Sequence, residues 1–347
     1  MMAGQYFSYA AFTLICLTLL TLPFLPAFRE WLTPTDFAPL PIAHHYSSDI
    51  EHFAKRLHAD VKAKLGLGAS TGYEDFDFVV DWVEDMDWGH ASKRLISEFS
   101  IESLTSIRSN QPLYVKGSIY AGDASAFSRL YATGDINLGV GSEVHDWAHA
   151  NGAVRLGRDS VGLRRISAGT SIEVDMQAWF ERMQAPTLYF GSGRGEVFAY
   201  EESHQVDASF SGFPDAVQQT PSLFLIPGDC VLPANKRYRS SVVVTGFLTI
   251  GAGTTIMGDV KARKGVSLGR NAFVKGAVTC EKRIYLFKHA RALGPLLSES
   301  DILIGAQSVI GLIDAPTSVN ARHIIVEDGG VVHGPVWAHD IGMVKAS

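Results

Sequence analysis

The chain has 347 residues, enough for roughly two domains of about 150 residues each. Apolar residues make up 46% and charged ones 19%, which supplies a packed core and excludes intrinsic disorder. A net charge of −6 lacks the basic excess of a dedicated nucleic-acid binder, so no nucleic-acid partner is expected. The three scattered cysteines, Cys16, Cys230 and Cys280, make neither a disulfide framework nor a paired-cysteine zinc site.

Residues 1–28 carry no charged side chain. The run 6–28 is long enough to cross about 30 Å of hydrocarbon as a helix, so it reads as a single transmembrane anchor in contact with membrane lipid. A cleaved signal peptide fits less well, because the basic leading region is missing and Pro23 and Pro26 fall where a small-residue cleavage site belongs. Arg29, Lys55 and Arg56 follow the run and no basic residue precedes it, which favours a cytoplasmic body over a periplasmic one.

Residues 29–110 read as a linker and a small helical neck. Ser48-Asp-Ile-Glu51 has the form of a capping box, Ile50, Phe53, Ala54, Leu57, Val61 and Leu65 recur at helical spacing, and Gly66 and Gly68 are natural stops. Seven acidic residues then fall between Glu74 and Asp87, interleaved with Phe76, Phe78 and Trp82. A solvated acidic face over an aromatic core accounts for this more simply than a cation site, since the spacing is not that of an EF-hand loop.

The rest of the chain repeats. Ile250, Leu268, Leu286 and Ile304 follow one another at a constant 18-residue step, and an apolar-x-apolar triplet ends at every one of them. Gly258, Gly276 and Gly294 keep the same step; after a four-residue slip through Ala315-Pro316-Thr317, Val326 and Gly334 return to register. Leu138, Leu156 and Val174 show the same 18-residue step in the first half, with Leu188-Tyr-Phe190 as a shortened turn. An apolar-x-apolar triplet directs two side chains to one face, which makes each a short inward-facing strand. One coil cannot bury that face, but coils stacked at about 4.8 Å bury it continuously.

The predicted fold is therefore an all-β solenoid, a β-helix built from 18-residue coils. One segment covers 111–192, an irregular insertion covers 193–229, a second segment covers 230–340, and 341–347 are a tail. The core ladder is Ile250, Leu268, Leu286, Ile304, Val326, Leu138, Leu156 and Val174. The corners fall at Gly258, Gly276, Gly294 and Gly334, where positive φ or close backbone approach calls for glycine.

Three further features stand out. Gly191-Ser-Gly-Arg-Gly195 lacks the Lys-Ser/Thr of a phosphate loop and reads as a flexible loop. His145, Trp147 and His149 alternate on an extended stretch, but no third ligand has a recognisable metal spacing. In the 18-residue register Lys264 lies under Lys282 and Arg270 under Lys288, and like charges so placed are destabilising. This face suits an anionic partner as well as it suits bulk solvent.

The stretch from Gly258-Asp-Val-Lys-Ala-Arg-Lys-Gly to Gly276-Ala-Val resembles the coils of bactofilins, the polymer-forming cytoskeletal proteins of bacteria. The resemblance covers most of 113–190 and 230–338 and is most specific over 246–280. It implies a right-handed β-helix without cofactor or catalysis, attachment to the bacterial inner membrane, self-association, and a scaffold role for envelope or polysaccharide-synthesis proteins. The interrupted repeat and the long neck depart from that pattern and put end-to-end stacking in doubt. An alternative resemblance, to hexapeptide-repeat acyltransferases, rests on Ile250-Gly, Leu268-Gly and Ile304-Gly and would need a general base from His289, His323 or His333. Only one hexad in three keeps that signature. A third reading is a non-polymerising adaptor for a membrane glycosyltransferase or secretion complex.

Overall fold

The computed structural model describes residues 2–32, 49–66, 75–79, 87–192 and 205–346. They divide into two units, Met1–Asp49 and Ile50–Ser347.

In the first unit the expected span over 6–28 is broken. A helix over Met2–Thr21 gives way to a 3-10 turn at Leu22–Phe24 and a second helix at Leu25–Leu32. Pro23 and Pro26 each remove a backbone donor and stop one helix from running through. Among the described residues no helix is long and apolar enough to cross a membrane, so the anchor predicted there has no support.

The second unit is a solenoid. Its short strands stack in parallel, and their burial alternates along each triplet, as at Val154–Leu156 and Val260–Ala262. Three ladders run along its length, two merged into a 22-stranded sheet and the third a 13-stranded sheet, giving three faces around one core. Ile250 pairs Leu268, Leu268 pairs Leu286, Leu286 pairs Ile304 and Ile304 pairs Val326, all at 0% exposure. Leu138, Leu156 and Val174 form the equivalent ladder in the first half.

The coils start before 111. Leu95 pairs Leu113 and Ile101 pairs Ile119, each pair one full coil apart, so much of the expected neck is already solenoid. Within 193–229 only the stretch from 205 onward is described. Its strand Val206–Ala208 already lies parallel on Lys236–Tyr238, and Leu223–Ile226 pairs Ser241–Val244 in the regular coil-to-coil step of the second stack. Of the expected tail at 341–347, residues 341–345 belong to a strand, Val336–Lys345, the longest described in the solenoid.

That last strand changes the topology. Trp179–Gln184, in the final coil of the first stack, pairs Val336–Lys345 antiparallel, and Thr187–Phe190 pairs Gly330–Val332 antiparallel. The two stacks thus meet tail to tail. Two coils of the same hand that meet this way run in opposite senses, which is why the strands cross the seam antiparallel while the coil-to-coil ladders within a stack are parallel.

Both outer ends are covered. Phe210 of a 3-10 turn is 1% exposed and stacks on Tyr238 with centroids 4.4 Å apart, closing the core of the second stack. Beside it, Val217–Thr220 runs antiparallel along Leu223–Ile226. At the first stack's outer end Val79, Trp88 and Ala91 pack against the core.

Candidate functional site

Helix His52–Gly66 lies on the outside of the first stack. Its described start is later than the capping box would place it, and Ser48 lies outside the described residues. Ala54, Leu57 and Val61 are buried against Phe76, Ile96, Tyr114, Tyr131 and Trp147, a second apolar cluster apart from the solenoid core. These outward side chains are in register: Ile96 pairs Tyr114, Tyr114 pairs Tyr131, and Tyr131 pairs His149. The Tyr114 and Tyr131 rings stack 4.9 Å apart and nearly parallel, and His58 stacks on both. Offset aromatic stacks of this kind add to the plain burial of their area.

Beside the helix runs a groove of about 790 Å³ with six arginines on its walls, Arg56, Arg94, Arg129, Arg164, Arg165 and Arg182, against three acids, Asp60, Asp146 and Glu181. The coil register builds it. Arg129 pairs Trp147, Trp147 pairs Arg165, Arg165 pairs Arg182, and Arg182 meets Trp337 across the seam. Irregularities between Val144 and Trp147 and between Gly162 and Arg165, the second containing Arg164 at φ 58°, shift the outward positions there. Bulges of this kind re-aim side chains.

The acids compensate only part of the charge. Asp146 takes Arg129 at 3.0 Å and Arg164 at 3.8 Å, and Asp60 takes Arg94 at 3.3 Å. Arg56, Arg165 and Arg182 have no carboxylate partner among the described residues. Arg165 rests on the Phe53 ring at 4.8 Å and Arg182 on Trp337 at 4.0 Å. The Arg165 Nη1 is buried and has no hydrogen-bond partner among the described residues. Burial, followed by the neighbouring Arg165 charge, pulls the Arg182 guanidinium below its ordinary pKa.

The residues singled out in the sequence lie elsewhere. Lys264, Lys282, Arg270 and Lys288 are all exposed on the second stack, and Asn271 N–H donates to the Lys288 carbonyl, which places those two corners one above the other. Acids from neighbouring coils answer the basic face: Asp229 lies 3.8 Å from Lys264, Glu281 3.3 Å from Arg263, and Asp301 2.7 Å from Arg283. Counting charges within one stretch of sequence missed Asp229 and Asp301, which the coiling brings in.

The three candidate general bases have separate structural roles. His289 is a corner residue at φ 61°, in a left-handed column with Asn235, Gly253, Asn271 and Gln307. His323 sits between Asp301 at 2.9 Å and Asp340 at 3.5 Å. His333 is 5% exposed at the seam, bonded to Thr187 Oγ1 at 3.0 Å, and burial lowers its pKa.

His149 uses both ring nitrogens internally, on Ser167 and Asn151, while His145 lies beside Glu143 at 3.5 Å. No group of three or more His, Cys, Asp or Glu able to hold a metal occurs among the described residues. Of the acidic stretch, Glu74, Asp81, Glu84 and Asp85 lie outside the described residues, as do Gly193, Arg194 and Gly195 of the glycine-rich loop; Asp75 pairs Lys64 at 3.0 Å.

Comparison with family models, with curated proteins and with solved structures found no match to this chain.

Proposed function

We propose that the chain is a structural scaffold that offers the sides of its solenoid as an assembly platform and does not grow by end-to-end stacking. The tail-to-tail seam is the observation that carries this reading. It uses up one end of each stack within a single chain, through Trp179–Gln184 against Val336–Lys345 and Thr187–Phe190 against Gly330–Val332. A polymer of solenoids needs free terminal strands, because unpaired N–H and C=O groups are the template for addition. At the remaining end of the second stack Phe210 covers the core and Val217–Thr220 runs antiparallel along Leu223–Ile226, which interrupts the parallel coil step there.

The bactofilin-like coils over 246–280 support a structural role over a catalytic one, as do the separate roles of His289, His323 and His333. Sedimentation and negative-stain electron microscopy of the full chain test the reading. Discrete particles of one stoichiometry are expected; filaments whose length grows with concentration would sink it.

A further inference from the structure

Three guanidinium groups of the groove beside helix His52–Gly66 make no ion pair among the described residues, although Glu181 acts on Arg182, and two of them, Arg165 and Arg182, face each other on neighbouring strands. Like charges so placed repel, and the depressed pKa of Arg182 records that repulsion as well as burial. Packing alone does not call for this. Two apolar residues at these outward positions would continue the cover that Trp147 and Tyr131 provide a coil or two away. Instead the chain departs from its regular repeat here, with a bulge that turns Arg164 and Arg165 toward the groove.

We propose that the groove binds a small molecule carrying two phosphate groups. Among the described residues, six guanidinium groups against three carboxylates leave three positive charges uncompensated. Two phosphates, at about −1.5 to −2 each near neutral pH, supply the matching negative charge. The planar, forked donors of arginine fit phosphate oxygens two at a time, which a lysine cannot do. Arg165 brings a buried donor atom, Nη1, that no acceptor among the described residues satisfies. The volume of about 790 Å³ falls within the range of about 300–1,000 Å³ for small-molecule sites, and Phe53, Leu57 and Trp147 give it an apolar wall for the body of the ligand. The basic columns on the second stack are a poorer candidate: they are open to solvent and lie among Asp229, Glu281 and Asp301.

Isothermal titration of the full chain with inorganic pyrophosphate, alongside inorganic phosphate and citrate at equal ionic strength, tests the assignment. Pyrophosphate is expected to bind saturably at one site per chain and about tenfold or more tighter than phosphate, since it engages two sets of forked donors. Arg165→Gln and Arg56→Gln are each expected to weaken it about tenfold, and Lys282→Glu on the other stack to leave it unchanged. Arg56 is exposed on the helix, so its variant keeps the core intact if Arg165→Gln disturbs the coil. Non-saturating stabilisation by all three anions, or wild-type affinity in both arginine variants, overturns the site. Citrate binding tighter than pyrophosphate overturns the choice of phosphate. Neither result bears on whether the solenoid polymerises.

Discussion

At Gly294 a Cβ would stand 2.5 Å from the carbonyl carbon and oxygen of Gly276, one coil back, and at Gly276 it would stand 2.6 Å from the Gly258 oxygen. Those atoms are backbone of a stacked coil and cannot swing aside. Gly294→Ala is therefore expected to cost about 1–3 kcal/mol, read as a lower urea midpoint, as overpacking does elsewhere. Gly212→Ala, with nothing within 4 Å of its Cβ, is the control and should change stability by less than about 0.5 kcal/mol. Equal losses at the two positions would show that close approach is not what glycine serves here. Positive φ is a separate matter: Gly334, at φ 120°, needs it, but the main left-handed column is carried by Asn235, Gly253, Asn271, His289 and Gln307. Only Gly253 in that column is a glycine, so the glycine columns of the sequence mark the close approaches and not the corners that turn left-handed. His333 makes a second prediction at this scale. Burial lowers its pKa and that of His149, so below about pH 6.5 the unfolded chain takes up protons that the folded chain resists. Stability should be full above that pH and fall as pH drops through the region just below it. His333→Gln should flatten the slope of a pH series of urea melts; an unchanged slope would show that the seam histidine is not held neutral.

The helix His52–Gly66 follows from its apolar spacing, and Ala54, Leu57 and Val61 of that stripe are buried, while Phe53 is 46% exposed and Ile50 precedes the helix. What it packs on was not apparent, because Ile96, Tyr114, Tyr131 and Trp147 share a face only once the coil register is known. The core triplets were apparent for the opposite reason: each repeats the same two inward positions once per coil, so the physics of burial is written into the spacing itself. The arginine groove hides for a third reason. Arg129, Trp147, Arg165 and Arg182 keep nearly the coil step, but the column changes residue type at Trp147 and carries no apolar signature, so it does not stand out as a repeat. Leu57→Ala tests the attachment of the helix. The loss of a 6% exposed leucine should cost about 2–5 kcal/mol, enough to release a short helix that shares no backbone ladder with the coils. Hydrogen exchange should then show amides of 52–66 losing protection while those of 113–190 keep theirs. Loss across both regions would mean that helix and coils unfold as one unit.

At the scale of the whole solenoid, stacks that could each extend indefinitely are instead joined to one another. The seam depends on backbone pairing and on close fit, since a Cβ on Gly342 would fall into the ring of Phe180 opposite it. Periodicity could not announce this: the repeat marks which strands stack in parallel, and an antiparallel join between 179–190 and 330–345 leaves no repeating trace. Removing residues 336–347 would strip one strand from the seam and leave the edges of Trp179–Gln184 and Val319–Glu327 unpaired, with apolar neighbours such as Phe180 uncovered. Unpaired flat edges recruit other chains. The truncated protein is expected to form larger species with rising concentration in size-exclusion chromatography with light scattering, whereas the full chain keeps one mass. Gly342→Val should produce the same tendency more weakly, because it wedges the seam without deleting it. If both variants keep the mass of the full chain, the seam is not what limits assembly, and the groups at the outer ends, Phe210 on the second stack and Val79, Trp88 and Ala91 on the first, must do so instead.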